Sequence, residues 1–326
     1  MSLVETMRGA IDPSALGKTL MHEHVFVLTT DVQANYPGEF DEAAAVQDAV
    51  AKLNELAAQG ISTIVDPTVV GLGRDVQRLI QVAERVELNI VVATGIYTYV
   101  EAPYFFRFRG PGLGLESIDP MTEMFLHDIR DGIAGTGIRA GMLKCAIDEP
   151  GLTPGVERIM RAVAAAHVET GVPITVHTHP GTRAGLAAHR VLSDAGVDPA
   201  RVVLGHSGDT TDADHLSELA SLGYVLGMDR FGIELERSFD ERVDVVVEMC
   251  RRGFATSMVL SQDAACYIDW LDPAAREFLP NWHYLHVMRD VVPTLLRRGV
   301  TEDQIEAMLV ATPRRILEPV SSAPAA

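Results

Sequence analysis

The chain has 326 residues, 47% of them apolar, and a formal net charge of −18. That charge argues against partners rich in phosphate, whether nucleic acid or an anionic membrane surface. The opening residues Met1–Thr6 carry neither the basic nor the apolar region of a secretory leader. No apolar run reaches the length of a membrane span. Cys145, Cys250 and Cys266 are widely separated with no C-x-x-C pair, so they read as reduced thiols of a cytoplasmic protein.

In chain order, the apolar run Leu20-Met21-His22-Glu23-His24-Val25-Phe26-Val27-Leu28 reads as a first strand. Residues 41–59 place Val46, Val50, Leu53 and Leu56 at helical spacing and stop at Gly60. A strand follows at 61–66, a helix at 75–87 and a strand at 90–94. Residues 101–120 form a long loop rich in Pro, Gly, Phe and Arg, and such loops are uncommon unless functional. Residues 122–134 read as a helix, 140–146 as a strand with a lysine in it, 154–170 as a helix and 173–177 as a strand. Further helices at 184–195, 212–222 and 239–252 alternate with strands at 202–206, 224–229 and 258–263. Helices near 282–298 and 302–309 close the chain, and 321–326 reads as a flexible tail. Regular alternation over 1–320 predicts one domain, an α/β fold of the (β/α)8 TIM-barrel type. A doubly wound open sheet is the alternative, but no G-x-G-x-x-G opens a helix after the first strand.

The polar residues that need explaining fall at predicted strand ends, where barrel active sites are built. They are His22 and His24 on strand one, Lys144 on strand four, His177 on strand five, His206 on strand six and Asp263 on strand eight. On a regular strand His22 and His24 share one face and Glu23 takes the other, so two imidazoles can converge on one ion. A single strand histidine is more often a core residue than a ligand; six such groups at matching ends argue for a shared metal site. Lys144, between Leu143 and Cys145, is costly to bury charged. Either it pairs with a carboxylate such as Asp66 or Asp148, or its neutral amine takes up carbon dioxide as an anionic carbamate that bridges two cations.

This set resembles the amidohydrolase superfamily. The longer strings Met21-His22-Glu23-His24, Gly205-His206-Ser207-Gly208-Asp209-Thr210, Asp229-Arg230-Phe231-Gly232 and Ser261-Gln262-Asp263 resemble its phosphotriesterase branch, and within it the phosphotriesterase-like lactonases. The likeness runs from about Gly9 to Leu317. It implies a binuclear centre at the C-terminal face of the barrel, with Zn, Co, Fe or Mn as the two divalent ions. His22, His24 and Asp263 then hold the more buried ion and His177 and His206 the other. Lys144, modified to N6-carboxylysine, bridges them with a hydroxide. His179 reads as pocket wall or as a residue just behind the ligands. Arg230 stands where phosphotriesterases proper have histidine, which argues for weak organophosphate turnover. Tyr97 matches a tyrosine of the lactonase branch.

The resemblance thus implies a lactonase, with N-acyl homoserine lactones among its substrates, a quorum-quenching role and a homodimeric assembly. Asp263 is the expected proton carrier, with Tyr97 and Arg230 assisting. Tyr97, Tyr99, Arg230 and Trp270 are the expected substrate contacts, and the apolar segment 264–279 suits an acyl tail. Asp209 is a candidate to relay protons or to orient Arg230. Tyr104, Phe105, Phe106 and Phe108 read as an interface or packed loop. The rival readings are another ester, amide or phosphoester hydrolase on the same metal core, and a barrel that binds without catalysis.

Overall fold

The computed structural model describes residues 3–110 and 118–319. The expected tail at 321–326 and the centre of the 101–120 loop lie outside these residues. Eight parallel strands run in sequence order around the sheet: β1 Thr19–Leu20, β2 Thr63–Asp66, β3 Asn89–Gly95, β4 Met142–Ile147, β5 Ile174–Thr178, β6 Val202–Gly205, β7 Val225–Met228 and β8 Met258–Leu260. Helices follow the strands: α1 Glu42–Ala58, α2 Val76–Ala83, α3 Pro120–Arg130, α4 Pro154–Thr170, α5 Ala184–Asp194, α6 Ala213–Ser221, α7 Phe239–Arg251 and α8 Val292–Arg297. The expected (β/α)8 barrel is the observed fold, and the open-sheet alternative is set aside.

Alternation along the strands divides the apolar residues into two layers. Val91 and Ala93 of β3 join Val65, Val203, Val225 and Val259 in an inner cluster. Ile90 and Val92 join Val46, Leu53 and Leu56 of α1 in the outer one. Helix starts are fixed locally. The Asp41 side chain accepts the Ala44 amide ahead of α1, and Ser238 and Glu241 form a capping box ahead of α7.

The first strand differs from its sequence reading. Its regular pairing with β2 ends at Leu20, the chain bends over Met21–Glu23, and a separate strand His24–Val27 then pairs in parallel with Ala265–Ile268 beyond β8. The bend lets one segment serve two neighbours. The Glu23 amide donates to Val65 O on β2, whereas the His24 amide donates to Ala264 O on the strand-eight side. The barrel is closed at this seam. Likewise β6 ends one residue before His206 and β8 three before Asp263, so both side chains lie just past regular strand. The expected 122–134 helix is shifted to Pro120–Arg130, and the 101–120 loop contains a short helix Tyr104–Arg107. Among the described residues no helix is long and apolar enough to cross a membrane.

Candidate metal centre

His22, His24, Lys144, His177, His206 and Asp263 all line one cavity at the C-terminal mouth of the barrel, with Tyr97, Tyr99, Arg230 and Trp270 above them. The six expected ligands thus come together, although His22 and His24 do so from a bend rather than from a continuous strand. Their rings lie 5.4 Å apart, centroid to centroid. His22 Nε2 is 3.5 Å and His24 Nε2 3.3 Å from Asp263 Oδ1. Lys144 Nζ is 3.5 Å from His22 Nε2, and His206 Nε2 is 2.8 Å from His177 Nδ1.

The far side of each imidazole explains why these nitrogens face inward. His22 Nδ1 lies 3.0 Å from Asp229 Oδ2, and His206 Nδ1 lies 3.0 Å from Asp229 Oδ1. His177 places Nε2 against Asp148. His24 Nδ1 lies 2.7 Å from Thr68 Oγ1, whose own hydroxyl donates to Asp66. A carboxylate only accepts, so Nδ1 of His22 and of His206 and Nε2 of His177 carry the proton, and the inward nitrogens of these three are left with lone pairs. Two such lone pairs face each other between His177 and His206. This donor set fits cations: imidazole nitrogens held by outer partners, with a carboxylate and an amine beside them. One oxygen or nitrogen from each of His22, His24 and Asp263 falls within 4.8 Å of the others, as do those of His22, His206 and Asp229. The second group is better read as support, because both Asp229 oxygens are engaged by Nδ1 atoms and Oδ1 also accepts the His206 amide at 2.7 Å.

The electrostatics follow from burial and these pairings. Burial holds His177 down at about 4 despite Asp148, and holds His206 well below the usual imidazole range with Arg230 adding to the effect. Burial opposes charge on His24 too, but hydrogen bonds to Asp263 and Asp66 prevail and hold it at about 9. For Asp263 burial raises the carboxyl, and the surrounding His22, His24, His206 and Arg230 outweigh it, so the group is strongly acidic. Burial lowers Lys144 to about 8. Neither carboxylate considered from sequence as its partner is available: Asp66 serves Thr68 and the Val25 amide, and Asp148 serves His177.

Above this floor, Arg230 donates from Nε to Asp263 Oδ2 at 3.1 Å and from Nη1 to Asp209 Oδ2 at 2.9 Å. Asp209 is held in turn by buried Arg242, so its expected role in orienting Arg230 is what the geometry displays. The hydroxyls of Tyr97 and Tyr99 are hydrogen-bonded to each other, and both rings pack 5.3 Å from His177. Trp270 is 6.0 Å from Tyr97, ring to ring. His179 does not line the cavity; its Nδ1 is buried and has no hydrogen-bond partner among the described residues. Tyr104, Phe105 and Phe108 are exposed and Phe106 is buried.

Sequence reading weighs Asp66 and Asp148 only as partners for Lys144, quotes Asp229 only within a family string, and gives Thr68 no role. One signal was present for Asp229: Gly227 precedes it by two, and a Cβ there would meet Asp229 Oδ2 at 2.3 Å. The small residue leaves room for the carboxylate to fold back beneath the histidines.

Comparison with known proteins identifies the family. The profile of the phosphotriesterase family matches residues 2–317. A solved phosphotriesterase from Mycobacterium tuberculosis superposes with a TM-score of 0.95 at 54% identity, over 97% of this chain and 98% of that one. An aryldialkylphosphatase of Saccharolobus solfataricus is 36% identical over 311 residues, 94% of this chain and 97% of that protein. A solved structure from molecular engineering of organophosphate hydrolysis on a weak promiscuous lactonase template has a TM-score of 0.89 at 35% identity, covering 97% of this chain and 100% of that one. With nearly the whole chain matched and the six inward groups in one cavity, the protein belongs to the phosphotriesterase family.

Proposed function

We propose that this chain is a metal-dependent hydrolase that opens lactones carrying an apolar tail, N-acyl homoserine lactones among them, with phosphotriester hydrolysis as a weaker side activity. His22, His24 and Asp263 would hold one divalent ion, His177 and His206 the other, and a carbamate on Lys144 would lie between them. The carbamate forms when the neutral amine attacks carbon dioxide and releases one proton. Bound there, the ions lower the pKa of water toward neutrality and polarise the bond under attack.

The protein's own groups do the rest. Asp263 accepts the proton of the attacking water and delivers it to the departing alkoxide. Arg230, locked between Asp263 and Asp209, keeps that carboxylate aligned and presents its remaining donors to the substrate. Tyr97 donates a hydrogen bond where negative charge develops on the former carbonyl oxygen. Ile268 and Trp270 offer apolar surface for the tail, and both line the cavity.

The observation that supports a lactone over a phosphotriester is Arg230. Its guanidinium occupies the space between Asp263 and Asp209, leaving a cavity of about 200 Å3 floored by histidines and walled by aromatic rings. The likeness to an aryldialkylphosphatase favours the second reading, in which phosphotriesters are the main substrates. Protein reconstituted with defined metals decides between them. A series of lactones differing in tail length is set against aryl dialkyl phosphates and simple esters. Higher kcat/KM on lactones, rising with tail length, is expected; a preference for the phosphates would reverse the assignment. A homodimer and a quorum-quenching role belong to the same proposal. The first is read by light scattering and the second by loss of homoserine-lactone signalling in a reporter strain.

A further inference from the structure

A non-glycine residue in the left-handed region persists only where its surroundings over-determine it. Asp263 has φ 53°, and its backbone is gripped on every side. Its amide donates to His22 O at 3.2 Å, and its carbonyl accepts from Trp282 Nε1 at 2.9 Å. The amides before and after it belong to Gln262 and Ala264. Both donate to a single side chain, Glu23, reaching Oε1 at 2.9 Å and Oε2 at 3.0 Å. Glu23 is fully buried, lies between His22 and His24 in the chain, and does not line the cavity. Among the described residues it has no ion-pair partner; burial pushes its carboxyl well above the usual carboxylate range, and the two amides oppose that shift only in part.

We infer that Glu23 is a positioning residue for Asp263: its two oxygens fix the peptide planes on either side and so set where Oδ1 stands relative to His22 and His24. The sequence supplies the coupling. The residue between two candidate ligands holds the third, so the bend at Met21–Glu23 and the turn after β8 can move only together. A longer or shorter acid would misplace one peptide plane. A glutamine keeps the volume and turns one acceptor into a donor facing an amide, which breaks one arm of the grip. The inference rests on the proposed role of Asp263 as ligand and proton carrier.

The test is Glu23→Gln in the full chain, read by Co(II) titration, the Co(II) absorption spectrum, thermal unfolding, and kcat and KM on the preferred lactone. A partner outside the ligand sphere typically changes metal affinity or turnover by roughly 10–100-fold. The expected result is a kcat loss and weakened Co(II) binding in that range, an altered spectrum, KM within about twofold of wild type and little change in unfolding temperature. Wild-type affinity, spectrum and kcat in E23Q would overturn the inference, as would a lowered unfolding temperature with those three unchanged. If E23Q does not fold, Glu23→Asp carries the test, because it keeps two acceptor oxygens and shortens their reach to the Gln262 and Ala264 amides. Weakened Co(II) binding with an altered spectrum supports the inference there, and unchanged binding overturns it. A wild-type chain that binds no Co(II) removes the proposed function, and this inference with it. Bound Co(II) in wild type with an indifferent E23Q removes this inference alone.

Discussion

At the scale of single residues, Asp229 orients candidate ligands of both ions with one carboxylate, its two oxygens each meeting an imidazole Nδ1 at 3.0 Å. Asp229→Asn keeps the shape and loses an acceptor, so one of His22 and His206 loses its fixed tautomer. Metal affinity measured by competition with a chelator is expected to fall roughly 10–100-fold, with the fold retained by circular dichroism. Lys144 carries a pH dependence whose sign follows from its chemistry. Burial brings the amine down to about 8, and only the unprotonated amine attacks carbon dioxide. Below that value the reactive fraction falls about tenfold per pH unit. Metal-free protein given Zn or Co is therefore expected to regain activity more slowly at pH 6 than at pH 9, with bicarbonate accelerating recovery at both. A pH-independent rate insensitive to bicarbonate would argue against the carbamate.

Among elements, the seam between the two ends of the sheet and the contact of β3 with β4 decide whether the floor is level. Gly95 ends β3 with φ 148°, and a Cβ on it would lie 1.9 Å from Lys144 O. Gly95→Ala must push β3 away from the strand that carries the lysine. A loss of about 3 kcal/mol or more, in the range of severe core lesions, is expected from denaturant unfolding, together with loss of activity. The same substitution at Gly60, which ends α1 and meets nothing within 4 Å, lacks the clash and serves as the comparison, though its φ of 88° carries a strain of its own.

On the scale of the whole molecule, the barrel gathers groups from the segment after β1, from β4 and β5, and from just past β6 and β8. Ions that bind only the folded chain stabilise it by mass action, about 2.7 kcal/mol at a hundredfold excess over Kd. Removal of metal by chelation is expected to abolish hydrolysis and lower Tm by roughly 5–10 °C, and divalent metal with bicarbonate should restore both. An unchanged Tm and full activity after verified metal removal would leave the non-catalytic barrel as the better reading. The net charge of −18 acts over longer distances. It favours neutral substrates over anionic ones and weakens approach to phosphate-rich surfaces.

The sequence by itself determined the barrel and the inward groups, because strand and helix periods are local and because charged or polar residues at apolar strand ends are conspicuous. It named His22, His24, Lys144, His177, His206 and Asp263 from type and position alone. What only the tertiary structure decided was how each group is held. In sequence Asp66 and Asp229 end predicted strands and Thr68 and Asp148 follow them with nothing to show which histidine each side chain supports, and the imidazoles they meet are distant along the chain, 207 positions away for Asp229 and His22. The interruption of the first strand was hidden for the same reason. A run of apolar residues reports that a segment is buried, but the neighbour that takes each amide, β2 for Glu23 and the strand-eight side for His24, is settled only when the sheet closes.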